Sequence, residues 1–215
     1  MHVQALKSLM SQKYPTYNVD ENEWDDKFNK VSIPLATVFT NKVEEDSSKQ
    51  VSRSIKYALN LGFSVPVPDD TESILTILAD TTSENVNLIR SIPKEYFSDI
   101  QKAVEQSILQ GQDRHALYDR LQEIYNTTKN RATLIAKDQT TKITSLISRQ
   151  RQLDLGITEA IWIHSSAVKT PRPSHVAADG KLYNLEKGCL IEGQYIYPGQ
   201  LINCHCYQKP VIAYV

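Results

Sequence analysis

The apolar positions of this chain follow a helical period over most of its length and then change to a shorter one. Val3, Leu6 and Met10 fall at helical spacing near the start. Pro34 is well placed as a first helical residue, followed by Leu35, Val38, Phe39 and Val43. The polar run EEDSSKQ (44–50) interrupts that stripe before Val51, Ile55 and Leu59 restore it. A helix without an apolar face in its middle needs a partner surface or a solvent-exposed bend there. GFSVPVPDD (62–70) is the clearest break, since Gly62, Pro66 and Pro68 all disfavour helix.

Beyond the break, the pattern predicts a series of helical hairpins. Ile74, Leu75 and Leu78 are followed by Val86 and Ile89, and Pro93 starts a segment marked by Phe97, Ile100, Val104 and Ile108. Gly111 suits a C-terminal stop and Asp113 the N-cap of the next helix, whose buried stripe is Leu117, Leu121, Ile124 and Tyr125. RATLIAKDQTTKITSLISRQRQ (131–152) has the strongest periodicity, with Ala132, Ile135, Ala136, Gln139, Ile143, Leu146 and Ile147 on one face. Gln139 in such a stripe is buried, and its amide needs partners.

After Gly156 the residues turn β-branched and aromatic, which predicts a strand near 160–165 with Trp162 in the core. The segment 170–185 reads as turns with a short helix, 193–200 as a short strand and turn, and 201–215 as the last strand or strands. The chain is therefore α+β: a helical N-terminal region and helical hairpins, then a small C-terminal β-containing module. The pattern places the domain boundary at 62–70 or within the next helix.

Composition narrows the function. The 215 residues carry 24 basic and 25 acidic side chains, so a dominant electrostatic grip on nucleic acid is not expected globally. Residues 129–151 depart from that balance, with Arg131, Lys137, Lys142, Arg149 and Arg151 as candidate phosphate contacts or as a solvated helix face. No apolar run approaches the ~20 residues that span a bilayer, so no membrane partner is expected. Three cysteines do not resemble a secreted disulfide framework, and a reducing cytoplasm is the default.

The chemistry concentrates in LINCHCYQKP (201–210). In an extended segment Cys204 and Cys206 point one way and His205 the other. Direct bridging of these two thiols would strain a small ring. Two thiolates on one side suit zinc if further ligands converge, and His175 and Cys189 are the candidates, with His164 and His205 behind them. Buried reduced cysteines packed as small apolar groups are the alternative. His175 in RPSHVAADG also admits a metal-dependent nuclease or hydrolase with Asp179 and His164, although carboxylates are sparse. Its structural alternative is a hydrogen bond across the turn at Asp179–Gly180, where Gly180 takes positive φ. Arg172, between Pro171 and Pro173, sits in an extended loop from which it would pair with Asp179 or meet a phosphate.

These residues also form a family pattern. RATLIAKDQTTK, GITEAIWIHSSAVKTPRPSHVAADGKLY and PGQLINCHC together resemble the phage head-morphogenesis proteins typified by the Mu F protein, over roughly residues 84–212. The positions carrying the resemblance include Arg131, Gln139, Trp162, Arg172, His175, Asp179, Gly180, Asn203, Cys204 and Cys206. The chain departs from the pattern at Ala167 and Val168, and in having histidine between its two terminal cysteines. The resemblance implies a non-enzymatic minor capsid protein of the virion. Its partners would be the portal protein, other capsid or scaffold proteins, and packaged DNA. The resemblance divides the chain into 1–62, a helical portal-docking region, 63–83, a linker and short helix, and 84–215, the module.

Overall fold

The computed structural model describes residues 21–59, 66–67, 70–109, 114–166 and 170–212; the side chains at 21–25, 58, 108, 109 and 114 are not described. The readings at Val3, Leu6, Met10, Gly62, Gly111, Asp113, Ala167 and Val168 lie outside these residues. Three long helices, α1 (Glu21–Ala58), α2 (Glu72–Leu109) and α3 (Arg114–Asp154), precede five short strands and one short helix. These are β1 (Glu159–Ile163), α4 (Pro173–Ala177), β2 (Leu182–Asn184), β3 (Cys189–Ile191), β4 (Gln194–Ile196) and β5 (Tyr207–Val211). The order is the expected α+β one.

The helices are longer than the pattern suggested. Pro34 and Pro93 start no helix; both lie inside one. Each removes a backbone donor at a cost of about 3 kcal/mol, which packing along a 38-residue helix offsets. The polar middle of α1 is likewise no break. Its buried stripe runs Ser32, Ala36, Thr40, Val43, Ser47, Val51 and Ile55, at helical spacing. Ser32 donates to the Asn29 carbonyl and accepts from Arg90 Nε at 3.2 Å, and Ser47 is the buried residue within the polar run 44–50. Leu35 and Val38, expected inside, face solvent, as do Tyr125 and Ala136 of α3.

Cross-helix bonds set the directions. Thr71 meets Asp154 at 3.0 Å, Glu84 meets Lys142, and Ser91 meets Arg131, so α2 and α3 run antiparallel. Arg151, only 3% exposed, bonds both Glu44 of α1 and Asp70 before α2. Val43, Ile74, Ile143 and Ile147 form the apolar centre of the bundle.

The module folds on the end of this bundle. Strand β1 is central in an antiparallel sheet ordered β2-β1-β5, and β3 pairs with β4 in a separate hairpin. Alternation along β1 buries Ala160 and Trp162 together. Their core includes Tyr183, Leu185, Cys189, Ile191, Ile196, Cys204 and Cys206, and also Val51 and Ile55 from α1. The end of α1 therefore packs into the same core as the module.

Candidate metal centre

Cys204 and Cys206 precede β5 rather than lie within it, yet both are buried while His205 between them is partly exposed. Opposite them stands His175, in the five-residue helix α4. Pro173 opens α4 after Arg172, whose extended backbone (φ −70°, ψ 127°) matches the restriction before proline. The Arg172 guanidinium donates to the Ile202 carbonyl at 2.9 Å, tying α4 to the turn before the thiols. Its expected partner, Asp179, instead accepts the backbone N–H of His164 at 2.8 Å. The predicted bond from His175 across the Asp179–Gly180 turn gives way to one from Gly180 N–H to the Trp162 carbonyl, with Gly180 at φ 78°.

The imidazole of His175 meets Trp162 edge to face, with centroids 5.2 Å apart. That contact leaves Nδ1 at 3.4 Å from Cys204 Sγ and 3.7 Å from Cys206 Sγ. His164, two residues beyond Trp162 and half-buried, places its Nδ1 3.7 Å from Cys206 Sγ. The donor atoms of His175, Cys204 and Cys206 all lie within 4.8 Å of one another. Cys189 does not join them. It sits on β3 opposite Ile196, in the hairpin, where burial raises its thiol pKa. His164, just beyond the end of β1, approaches Cys206 where Cys189 does not.

The thiols share their proton unequally. A hydrogen bond from the Cys206 side chain lowers Cys204 to about 5 against the opposing effect of burial, with help from the N–H groups of Cys206 and Gly199 and from His175. Cys206, as donor, is raised for the same reason and by burial. The Trp162 indole N–H is fully buried and makes no proper hydrogen bond. It is nonetheless close enough to Cys206 to favour the thiolate there. Among the described residues, the metal-capable group contains no carboxylate.

The other sequence candidates serve the scaffold. Asn203 has positive φ, 58°, and its N–H donates to Asp138 of α3 at 2.7 Å. Gln139 is buried, with its amide on Glu84 at 3.3 Å. The basic stretch is not an open face. Arg131 pairs with Glu95 and Ser91, Lys142 with Glu84 at 2.7 Å, and Arg151 with Glu44 and Asp70. Arg149 donates to the Leu185 carbonyl at 3.3 Å and lies over the Tyr197 ring. Lys137 is exposed.

The sequence pattern of the family described as Phage Mu protein F like protein matches residues 98–209. That is more than half of the chain, which therefore belongs to this family of phage head-morphogenesis proteins. An uncharacterized protein of Haemophilus influenzae (strain KW20 / Rd) is 27% identical over 181 residues, covering 83% of this chain and 39% of the relative. The chain thus spans about two fifths of the length of that relative. No solved structure matches it. The matched region begins inside α2, so the family boundary coincides with no break in the fold. No helix among the described residues is long and apolar enough to cross a membrane.

Proposed function

We propose that this protein is a minor head component of a tailed phage or prophage, incorporated during procapsid assembly and held at the portal vertex through α1. Family membership supports the head role. The observation that carries the docking reading is the outer face of α1. Val31, Leu35 and Val38, spaced i, i+4 and i+7, are 57%, 51% and 67% exposed, with exposed Pro34 beside them. The opposite face of the same helix is buried against α2 and α3. A contiguous apolar stripe on a helix otherwise rich in charge is the kind of surface that a protein partner covers. Other capsid or scaffold proteins are further partners on this reading. The protein then resides in the host cytoplasm during assembly and in the virion afterwards.

For contact with packaged DNA the reading retains Lys137 alone of the five candidate cations between Arg131 and Arg151. The other four hold internal partners and would have to release them to reach a phosphate. We assign no catalytic role. The His/Cys group is buried, and Asp179, the nearest carboxylate in sequence, already accepts a backbone N–H.

Co-purification with the cognate portal protein tests the docking reading. The variant Val31→Asp/Leu35→Asp/Val38→Asp should keep its helical circular dichroism, because these side chains are exposed, and lose the portal. Undiminished capture by a folded triple variant would remove α1 from the interface.

A further inference from the structure

We propose that His164, His175, Cys204 and Cys206 hold one zinc ion in a closed structural centre that fastens the end of β1, the helix α4 and the turn before β5 to one another. The proposal is independent of how the protein docks in the head.

Distances carry it first. A tetrahedral zinc ion holds sulfur at about 2.3 Å and imidazole nitrogen at about 2.0–2.1 Å, which sets neighbouring N and S donors ~3.5 Å apart. The N···S separations around this group are 3.4 Å, 3.7 Å and 3.7 Å. All three refer to the Nδ1 atoms of His164 and His175, so both imidazoles approach the sulfurs through the same kind of edge. The mutual 4.8 Å group comprises His175, Cys204 and Cys206, and His164 is assigned as the fourth ligand because its Nδ1 reaches that group at Cys206.

The surroundings are those a metal-bound thiolate needs. N–H groups that donate to ligand sulfurs orient them and balance their charge. Here Gly199 N–H donates to Cys204 Sγ at 3.4 Å, and the buried Trp162 indole N–H, otherwise without a partner, lies beside Cys206. Trp162 also packs on the His175 ring and fixes its plane. The backbone of His164 is held by Asp179, and the turn carrying Cys204 by Asp138 and Arg172. A cleft of about 280 Å³ lined by Val51, Thr144, Ser148, His205 and Cys206 offers a way in from the helix side.

Four protein ligands leave no position for water or substrate, which separates a structural centre from a hydrolytic one. Zinc replaces the thiol protons on binding. The ion would add to the hydrogen bonds that already join these segments, His164 N–H to Asp179 and Arg172 to the Ile202 carbonyl.

The test uses the full chain, purified without a polyhistidine tag. Elemental analysis should find about one zinc per chain, and cobalt(II) added after chelation should give the intense visible bands of tetrahedral thiolate coordination. Cys204→Ser or Cys206→Ser should abolish tight binding, and His164→Ala should keep thiolate bands while weakening cobalt by at least about tenfold. Cys189→Ser should keep the full complement. A folded wild-type chain that takes up neither metal overturns the proposal, as does loss of metal in Cys189→Ser. Unchanged affinity in His164→Ala would remove His164 from the centre. The wild-type titration decides even where a cysteine variant fails to fold.

Discussion

The carboxylate of Asp138 accepts the backbone N–H of Asn203 at 2.7 Å, joining the middle of α3 to the turn that presents Cys204. Sixty-five residues separate the two in sequence, and both belong to the pattern that marks the family. The bond holds a residue whose positive φ is otherwise unfavourable for a side-chain-bearing position. Asp138→Ala should therefore cost about 1–2 kcal/mol in chemical denaturation. Asp138→Asn, which keeps an acceptor, should cost less. Equal losses would show that the bond is incidental.

Arg151 is the most buried cation described, bridging Glu44 and Asp70 from two other segments. Arg151→Ala leaves two partly exposed carboxylates without their cation and should destabilise by about 1–3 kcal/mol. Replacing Arg151, Glu44 and Asp70 together by apolar residues of similar size should recover most of that loss. An Arg151→Ala protein with an unshifted denaturation midpoint would contradict the burial described.

Thr40 and Ser47 face the helix seam with hydroxyls that have no hydrogen-bond partner. Thr40→Val removes a buried polar atom without changing shape or helix propensity, so it should stabilise by about 1 kcal/mol. A lower melting temperature would mean that the hydroxyl has a role in the seam.

Gly193 and Gly199 both have positive φ, at 79° and 78°, and differ in their surroundings. A Cβ at Gly193 meets nothing within 4 Å, whereas one at Gly199 would stand 3.0 Å from Ser145 Cβ on α3. Gly193→Ala should cost the backbone term alone, about 1–2 kcal/mol. Gly199→Ala should cost at least about 1 kcal/mol more, because α3 cannot recede. Circular dichroism melts of the two variants decide it.

Lys142 and Arg149 test the basic stretch. With Lys142 on Glu84 and Arg149 on Leu185 and Tyr197, their alanine variants should lose stability. The salt dependence of any DNA binding should stay unchanged, whereas two real phosphate contacts would lower its slope by about 2. A slope change of that size in a folded double variant would restore these cations to a DNA surface.

Several of these relationships were legible in the chain and several were not, for one recurring reason. Periodicity announced the helices and the change to strands after Gly156, because one element's own apolar face repeats locally. It misread α1, where Ser32, Thr40 and Ser47 are buried: small hydroxyls pass for solvent-facing residues until a second helix closes on them. It misread Pro34 and Pro93 as starts because propensity is a local cost that long-range packing can offset. It read Arg131, Lys142, Arg149 and Arg151 as a cationic run because their partners lie 36 to 107 residues away.

The His/Cys group divides the same way. Residue types and the two-residue step between Cys204 and Cys206 predicted thiols on one side of the chain, and His175 was singled out with them. That His164 reaches Cys206 while Cys189 pairs with Ile196 inside the β3–β4 hairpin needed the fold, since the two lie on different elements. Sequence by itself determined which side chains could serve as ligands, core and caps, because those are properties of single residues and their near neighbours. Only the tertiary structure decided which of them meet, because meeting depends on how far-apart segments pack.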